Sequence, residues 1–263
     1  MGYVEEQDTE ERGDASLTPV TMEVHATTGA VRVSIRSYYS SRLLWTAQHH
    51  AELAGELERA LAGKTPFSIE HHGYVLSSII ASVAFLEAMV NELFQDAADA
   101  RSGPDAYIAP LSEDCRRLMA ALWKSTREGF RLGTVEKYEM LLAFAGAPSL
   151  DRSGRVYDYA KSTIALRDKI VHFRPEDRSA EDEAHEMEKK LRPKNFPDNA
   201  LMAGSGNAWW PDHALGHGAA VWAHRSVKAL TDHVSDTIGI APNYRRQEAA
   251  GWFSRTPGER ELD

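Results

Sequence analysis

Arg167 and His172 stand five residues apart in the stretch Arg167-Asp168-Lys169-Ile170-Val171-His172. Plotted at 100° per residue, Tyr157–Phe173 puts Ala160, Thr163, Ile164, Ile170 and Val171 on one stripe, with Arg167 inside it. A guanidinium on an apolar face is strongly unfavourable unless an acid, a set of hydrogen bonds or a wet cleft holding an anion answers it. Arg174 precedes Pro175, which disfavours helical geometry at Arg174, so His172 is expected in a last helical turn. The carbonyls exposed there favour the imidazolium, and Asp168, four residues earlier, can orient the ring. The chemistry on offer is therefore a fixed cation beside a histidine able to change charge near neutral pH.

A second polar anomaly lies upstream. Glu87 falls amid Leu76, Ile80, Val83, Val90 and Phe94 on a long apolar stretch, with Asn91 one turn on. The simplest account of both anomalies is that Glu87 and Asn91 meet Arg167, a carboxylate and an amide answering a guanidinium fork.

The elements that must position these groups are mostly helical. An amphipathic helix carrying Leu43, Leu44, Ala47, Ala51, Ala54, Leu57 and Leu61 begins near Ser37 and ends at Gly63. The next, about Ser68 to Ala100, is apolar around most of its circumference, as a central helix is written. Further helices are expected at about Leu111–Phe130, Thr134–Ala145, Tyr157–Phe173, Ala180–Leu191 and Asp212–Ile238. Before them, Val20, Met22 and Val24, then Val31, Val33 and Ile35, alternate with polar residues on either side of Thr27-Thr28-Gly29, which reads as a β-hairpin. The organisation expected is an acidic disordered leader over 1–17, the hairpin over 18–36, an all-α domain over 37–240 with an insertion around 176–210, and a tail over 241–263.

Composition narrows the class. With 43% hydrophobic and 26% charged residues over 263 positions, the chain can bury a sizeable core. The formal charge of -9 argues against a surface that grips nucleic acid everywhere, although residues 1–15 hold six acids against Arg12 and so supply much of it. From Arg152 to Arg174 the balance reverses, with six basic residues against Asp158 and Asp168. One cysteine, Cys115, gives neither a disulfide nor a thiolate metal cluster and suits a reducing cytoplasm. The apolar run from Val75 to Phe94 is interrupted by Ser77, Ser78, Ser82, Glu87, Asn91 and Glu92, so neither a membrane span nor a signal peptide is read.

Arg167-x4-His172, with polar Asp168 after the arginine and the upstream helix bearing Glu87 and Asn91, resembles the R-x4-H motif of the HEPN superfamily. The similarity covers about Gly73 to Phe173 and extends to a final long helix. It implies a HEPN-like helical bundle, a homodimer, and a metal-independent endoribonuclease of the kind found in toxin–antitoxin and other bacterial defence systems. The resemblance assigns His172 to proton transfer at the 2′-OH and the leaving 5′-oxygen, and Arg167 to charge on the phosphate, with Asp168, Glu87 and Asn91 in support. RNA would lie along the basic stretch, at Lys161, Lys169 and Arg174, and no cofactor or metal is implied. A regulatory protein such as an antitoxin is the further partner expected. Toxin members often carry a tyrosine two residues after the histidine, where this chain has Arg174.

The contrasting reading is a non-catalytic helical interaction or dimerisation module, in which Arg167 and Glu87 form a buried structural pair. Among other constellations, His213, His217 and His224 share a face of the last helix, but 213 and 224 lie three turns apart and no Glu completes a zinc motif. They read as a polar border, Trp209-Trp210 as a core plug, Glu181–Lys190 as a solvated helix face, and Gly216-His217-Gly218 as lacking the strand that a dinucleotide fingerprint needs.

Overall fold

Ser68 begins the central helix: its backbone is extended and its hydroxyl accepts from the His71 N–H, while Glu70 adds an acid to the first turn. In the computed structural model, which describes residues 21–27, 30–100, 108–127, 131–177, 183–251 and 253, the chain is mainly helical. It divides into two units, Met1–Tyr38 and Tyr39–Asp263.

In the first unit, β1 (Thr21–Thr27) and β2 (Ala30–Arg36) pair antiparallel, with Thr21 opposite Arg36, Val24 opposite Val33 and Thr27 opposite Ala30. The acidic segment expected over 1–17 lies outside the described residues.

The second unit is built on α1 (Ser40–Leu61) and α2 (Ile69–Ala98). Their small residues Ala47, Ala51 and Ala54 let the two backbones approach, and Ser78 Oγ donates to the Ala47 carbonyl at 2.7 Å. Glu92 fixes the start of α1, accepting from the N–H groups of Tyr39 and Ser40 and from Ser40 Oγ. Burial outweighs those bonds and pushes the Glu92 carboxyl up. By length and a mean hydropathy of 1.8, α2 passes for a membrane span, yet 56% of that apolar window is buried inside the protein. Its apolar residues are therefore core residues.

Around α2 pack α3 (Glu113–Arg127), α4 (Thr134–Phe144), α5 (Arg155–Val171) and α7 (His217–Ile238). The phenol of Tyr138 on α4 is fully buried and donates to the Leu86 carbonyl of α2 at 2.9 Å. Trp123 Nε1 of α3 reaches Gln95 Oε1 at 2.7 Å.

Three elements differ from the sequence expectation. The insertion expected around 176–210 contributes to the core: Met187, Leu191, Trp209 and Trp210 join Val75, Ile79, Leu166 and Trp222 in one buried cluster. Within it α6 (Glu186–Leu191) starts where His185 Nδ1 accepts from the Met187 N–H, several residues later than expected. The last long helix begins at His217 and not at Asp212, because its N-cap Gly216 is extended and separates it from a short helical turn over Trp209–His213. The supposed tail contains α8 (Asn243–Ala249), whose Tyr244 is fully buried edge-on against Phe85, with ring centres 5.4 Å apart.

Gly216 explains how the long 195–216 connection closes on α7. A Cβ there would lie 2.6 Å from Asn199 Cα, so only glycine permits this approach.

Candidate functional site

Helix α5 runs from Gly154, its N-cap, to Val171, and His172 forms the C-cap with its N–H on the Asp168 carbonyl at 2.9 Å. Ala160, Thr163 and Leu166 hold the helix in the core, while its end projects outward. His172 is exposed, and Val171 and Phe173 on either side are each 52% exposed. Beside them lies a shallow cavity of about 390 Å³ bordered by His172, Asp168, Lys169 and Glu186.

Arg167 is half-buried, with 29% of its side chain exposed. Its Nε lies 3.0 Å from Asp168 Oδ1, but the N–H does not point along that line, and the buried Nε makes no hydrogen bond. The charge is thus answered by a sequence neighbour while Nε is left without a hydrogen bond.

The expected meeting of Glu87 and Asn91 with Arg167 is not made. Asn91 Oδ1 instead accepts from Lys137 Nζ at 2.8 Å, and the Glu87 carboxylate favours the same ammonium. Burial nevertheless holds the Lys137 amine below its usual range. The reason is packing: α4 lies along α2 at this level and brings Lys137, which also sits 5.7 Å from the centre of the Trp123 ring. The buried Arg167–Glu87 pair is corrected accordingly, and Lys137 is the partner that sequence reasoning overlooked. Its own helix showed no anomaly to single it out.

The basic stretch is partly neutralised. Lys161 pairs with Glu136 at 3.1 Å, Lys169 with Glu176 at 3.1 Å, and Arg152 grips Glu139 through two nitrogens at 2.8 and 3.1 Å. Arg174 is exposed beyond the end of α5.

The three histidines near the last helix do not converge. His213 Nε2 is 3.3 Å from Ser205 Oγ, and His217 Nδ1 is 2.9 Å from the Ala51 carbonyl of α1. His224 is half-buried, and its pKa is lowered to about 4 by burial and then by Arg225, His217 and Lys228. Among the described residues no group of three His, Cys, Asp or Glu is arranged for a metal ion.

Two features escaped the sequence. The carboxylate of Glu58, at the end of α1, accepts from His71 Nε2 at 2.9 Å and from the N–H groups of Ala200 and His217 at 3.0 and 2.8 Å. A wide cavity of about 1070 Å³ opens where α1, α5, α7 and residues 194–197 come together. Both assemble groups from distant parts of the chain, which no local pattern announces.

No family model, curated protein or solved structure matches the chain.

Proposed function

We propose that this chain is a metal-independent endoribonuclease with a HEPN-like bundle, acting at the outward end of α5 as a homodimer. The observation that carries the reading is the state of Arg167: a half-buried guanidinium whose Nε is without a hydrogen bond, one helical turn before an exposed histidine. A guanidinium in that condition is suited to a phosphate, which accepts fork-like bonds that the protein itself does not supply. The exposed Val171 and Phe173 beside His172 support a second copy covering this surface, so that two arginines and two histidines would face one cleft.

In this reading His172 takes the proton of a ribose 2′-OH as that oxygen attacks the adjacent phosphorus. A protonated His172 of the second copy gives a proton to the departing 5′-oxygen. Arg167 stabilises the additional negative charge on the phosphoryl oxygens, and Asp168 steadies Arg167. The products are a 2′,3′-cyclic phosphate and a 5′-hydroxyl. Lys169 and Arg174 border the site, Lys161 lies farther along α5, and Glu87 and Asn91 act at a distance by fixing α2 against α4. The proposal includes a cytoplasmic defence setting and control by a regulatory protein such as an antitoxin.

The test is incubation of the purified chain with single-stranded and structured RNAs in EDTA, beside His172→Ala and Arg167→Ala. Wild type is expected to cleave and leave cyclic phosphate ends, with each variant slowed at least about 100-fold. Equal cleavage by His172→Ala and wild type, or none by either, would overturn the proposal.

A further inference from the structure

The wide cavity has a wall of three aromatic rings. Tyr159 of α5 meets Trp222 of α7 edge-on with centres 5.8 Å apart, and the Phe196 ring is centred 5.3 Å from that of Trp222. Tyr159 and Phe196 are only half-buried, so each keeps part of a ring toward the opening. Aromatic surface of this kind suits a planar ring in a ligand, since every nucleobase has a face to stack.

Cations stand around this wall. Arg155, at the start of α5, holds its guanidinium 5.9 Å from the centre of the Tyr159 ring, and Lys194 holds its ammonium 5.3 Å from the same ring. Lys194 is already engaged by Asp158. Arg155 and Arg225, both exposed, have no carboxylate partner among the described residues. Glu248, an acid on the same wall, is taken up by Lys228 at 3.3 Å, and Glu52 has interactions of its own. Two guanidiniums without a carboxylate partner therefore border one space, the number that a phosphate dianion can engage.

The wall also holds polar groups that the protein does not satisfy. Trp222 Nε1 and His224 Nδ1 are buried without hydrogen-bond partners, and both residues border the cavity. Folded proteins rarely leave such groups unpaired.

We infer that this cavity binds a nucleoside monophosphate, its base against Tyr159 and Phe196 and its phosphate between Arg155 and Arg225. Neither Arg167 nor His172 lines the cavity, so the inference stands apart from the ribonuclease reading.

Titration calorimetry on the full chain with AMP and CMP, with adenosine and inorganic phosphate as separate arms, tests this. At least one nucleotide is expected to bind, with adenosine and phosphate each at least tenfold weaker. Arg155→Gln and Arg225→Gln alter exposed side chains, so the fold is expected to persist, as circular dichroism can verify, and each is expected to weaken the nucleotide at least tenfold. Absence of binding by both nucleotides at millimolar concentration would overturn the assignment. So would unchanged affinity in both folded variants, and so would phosphate binding as tightly as the nucleotide, which would mark a simple anion site.

Discussion

The carboxylate of Glu58 accepts a hydrogen bond from the backbone N–H of His217 at 2.8 Å, across 159 positions of sequence. His217 is the first residue of α7, so a buried negative charge sits where that helix concentrates unpaired N–H groups and positive potential. The same carboxylate holds the Ala200 N–H and the His71 ring, and thereby joins α1, α2, the 195–216 connection and α7 at one point.

Removing that acceptor strands all three donors. Glu58→Ala is expected to cost about 3 kcal/mol, and Glu58→Gln, which keeps one acceptor oxygen, less. Urea denaturation midpoints measure both, and a loss under about 1 kcal/mol for Glu58→Ala would show that the contact is incidental. Burial pushes the Glu58 carboxyl up, but the bonds from His71, Ala200 and His217 outweigh it and leave the pKa lowered. The stabilisation is therefore fully present above the unfolded carboxylate value of about 4.3 and is lost as pH falls through the lower folded value.

His224 gives an acid dependence in a higher window. Its folded pKa of about 4 lies below the unfolded value of about 6.5. Between those values the unfolded chain takes up a proton that the folded chain refuses, so stability declines as pH falls from about 6.5 to about 4, by an expected total of about 2–3 kcal/mol. His224→Gln should flatten the slope of urea midpoints between pH 7 and 5. An identical slope in the variant would mean that the ring is charged or solvated in the fold.

Lys137 takes the place beside Asn91 and Glu87 that the sequence suggested for Arg167. Arg167→Ala removes a half-exposed side chain paired only with its neighbour and is expected to cost less than about 1 kcal/mol. Lys137→Ala leaves Asn91 and Glu87 unanswered on α2 and is expected to cost about 1–2 kcal/mol. Thermal or urea unfolding ranks the two, and the reverse order would restore the Arg167 tie.

Helix α8 is structural. Tyr244→Ala is expected to cost about 3–5 kcal/mol by opening a cavity beside Phe85. Tyr244→Phe, which gives up only the bond to Asp232 at 2.7 Å while Arg245 and Lys228 still satisfy that acid, should cost about 1 kcal/mol. Proteolysis followed by mass mapping offers a second check: cleavage between 242 and 250 as fast as in an unfolded peptide would contradict the docking.

What was legible in the sequence was what repeats locally. The stripe Leu44, Ala47, Ala51, Ala54 and the apolar circumference of α2 place two helices within a few residues of their observed ends, because burial of one face imposes the period. The end of α5 near His172 follows from Pro175, and the burial of Trp209-Trp210 from the bulk of the rings. What was not legible depends on which helices become neighbours. Glu87 and Asn91 were rightly odd on an apolar face, yet the choice between Arg167 and Lys137 as their partner is made by the docking of α4, and the pattern along α2 is the same in either case. Tyr244 was hidden for a related reason, since a seven-residue helix is too short to display a period.

During synthesis the contact of Glu58 with His217 imposes an order of events. The first two long helices leave the ribosome as an antiparallel pair able to zip together early, because their contacts are near in sequence. That pair must carry a carboxylate turned toward a site still empty, and it stays hydrated until Ala200 and His217 emerge. A nascent chain stalled before residue 200 thus holds a wet, acidic seam between helices that in the finished protein is dry, and ribosome-bound intermediates of that length should be the ones on which chaperones linger.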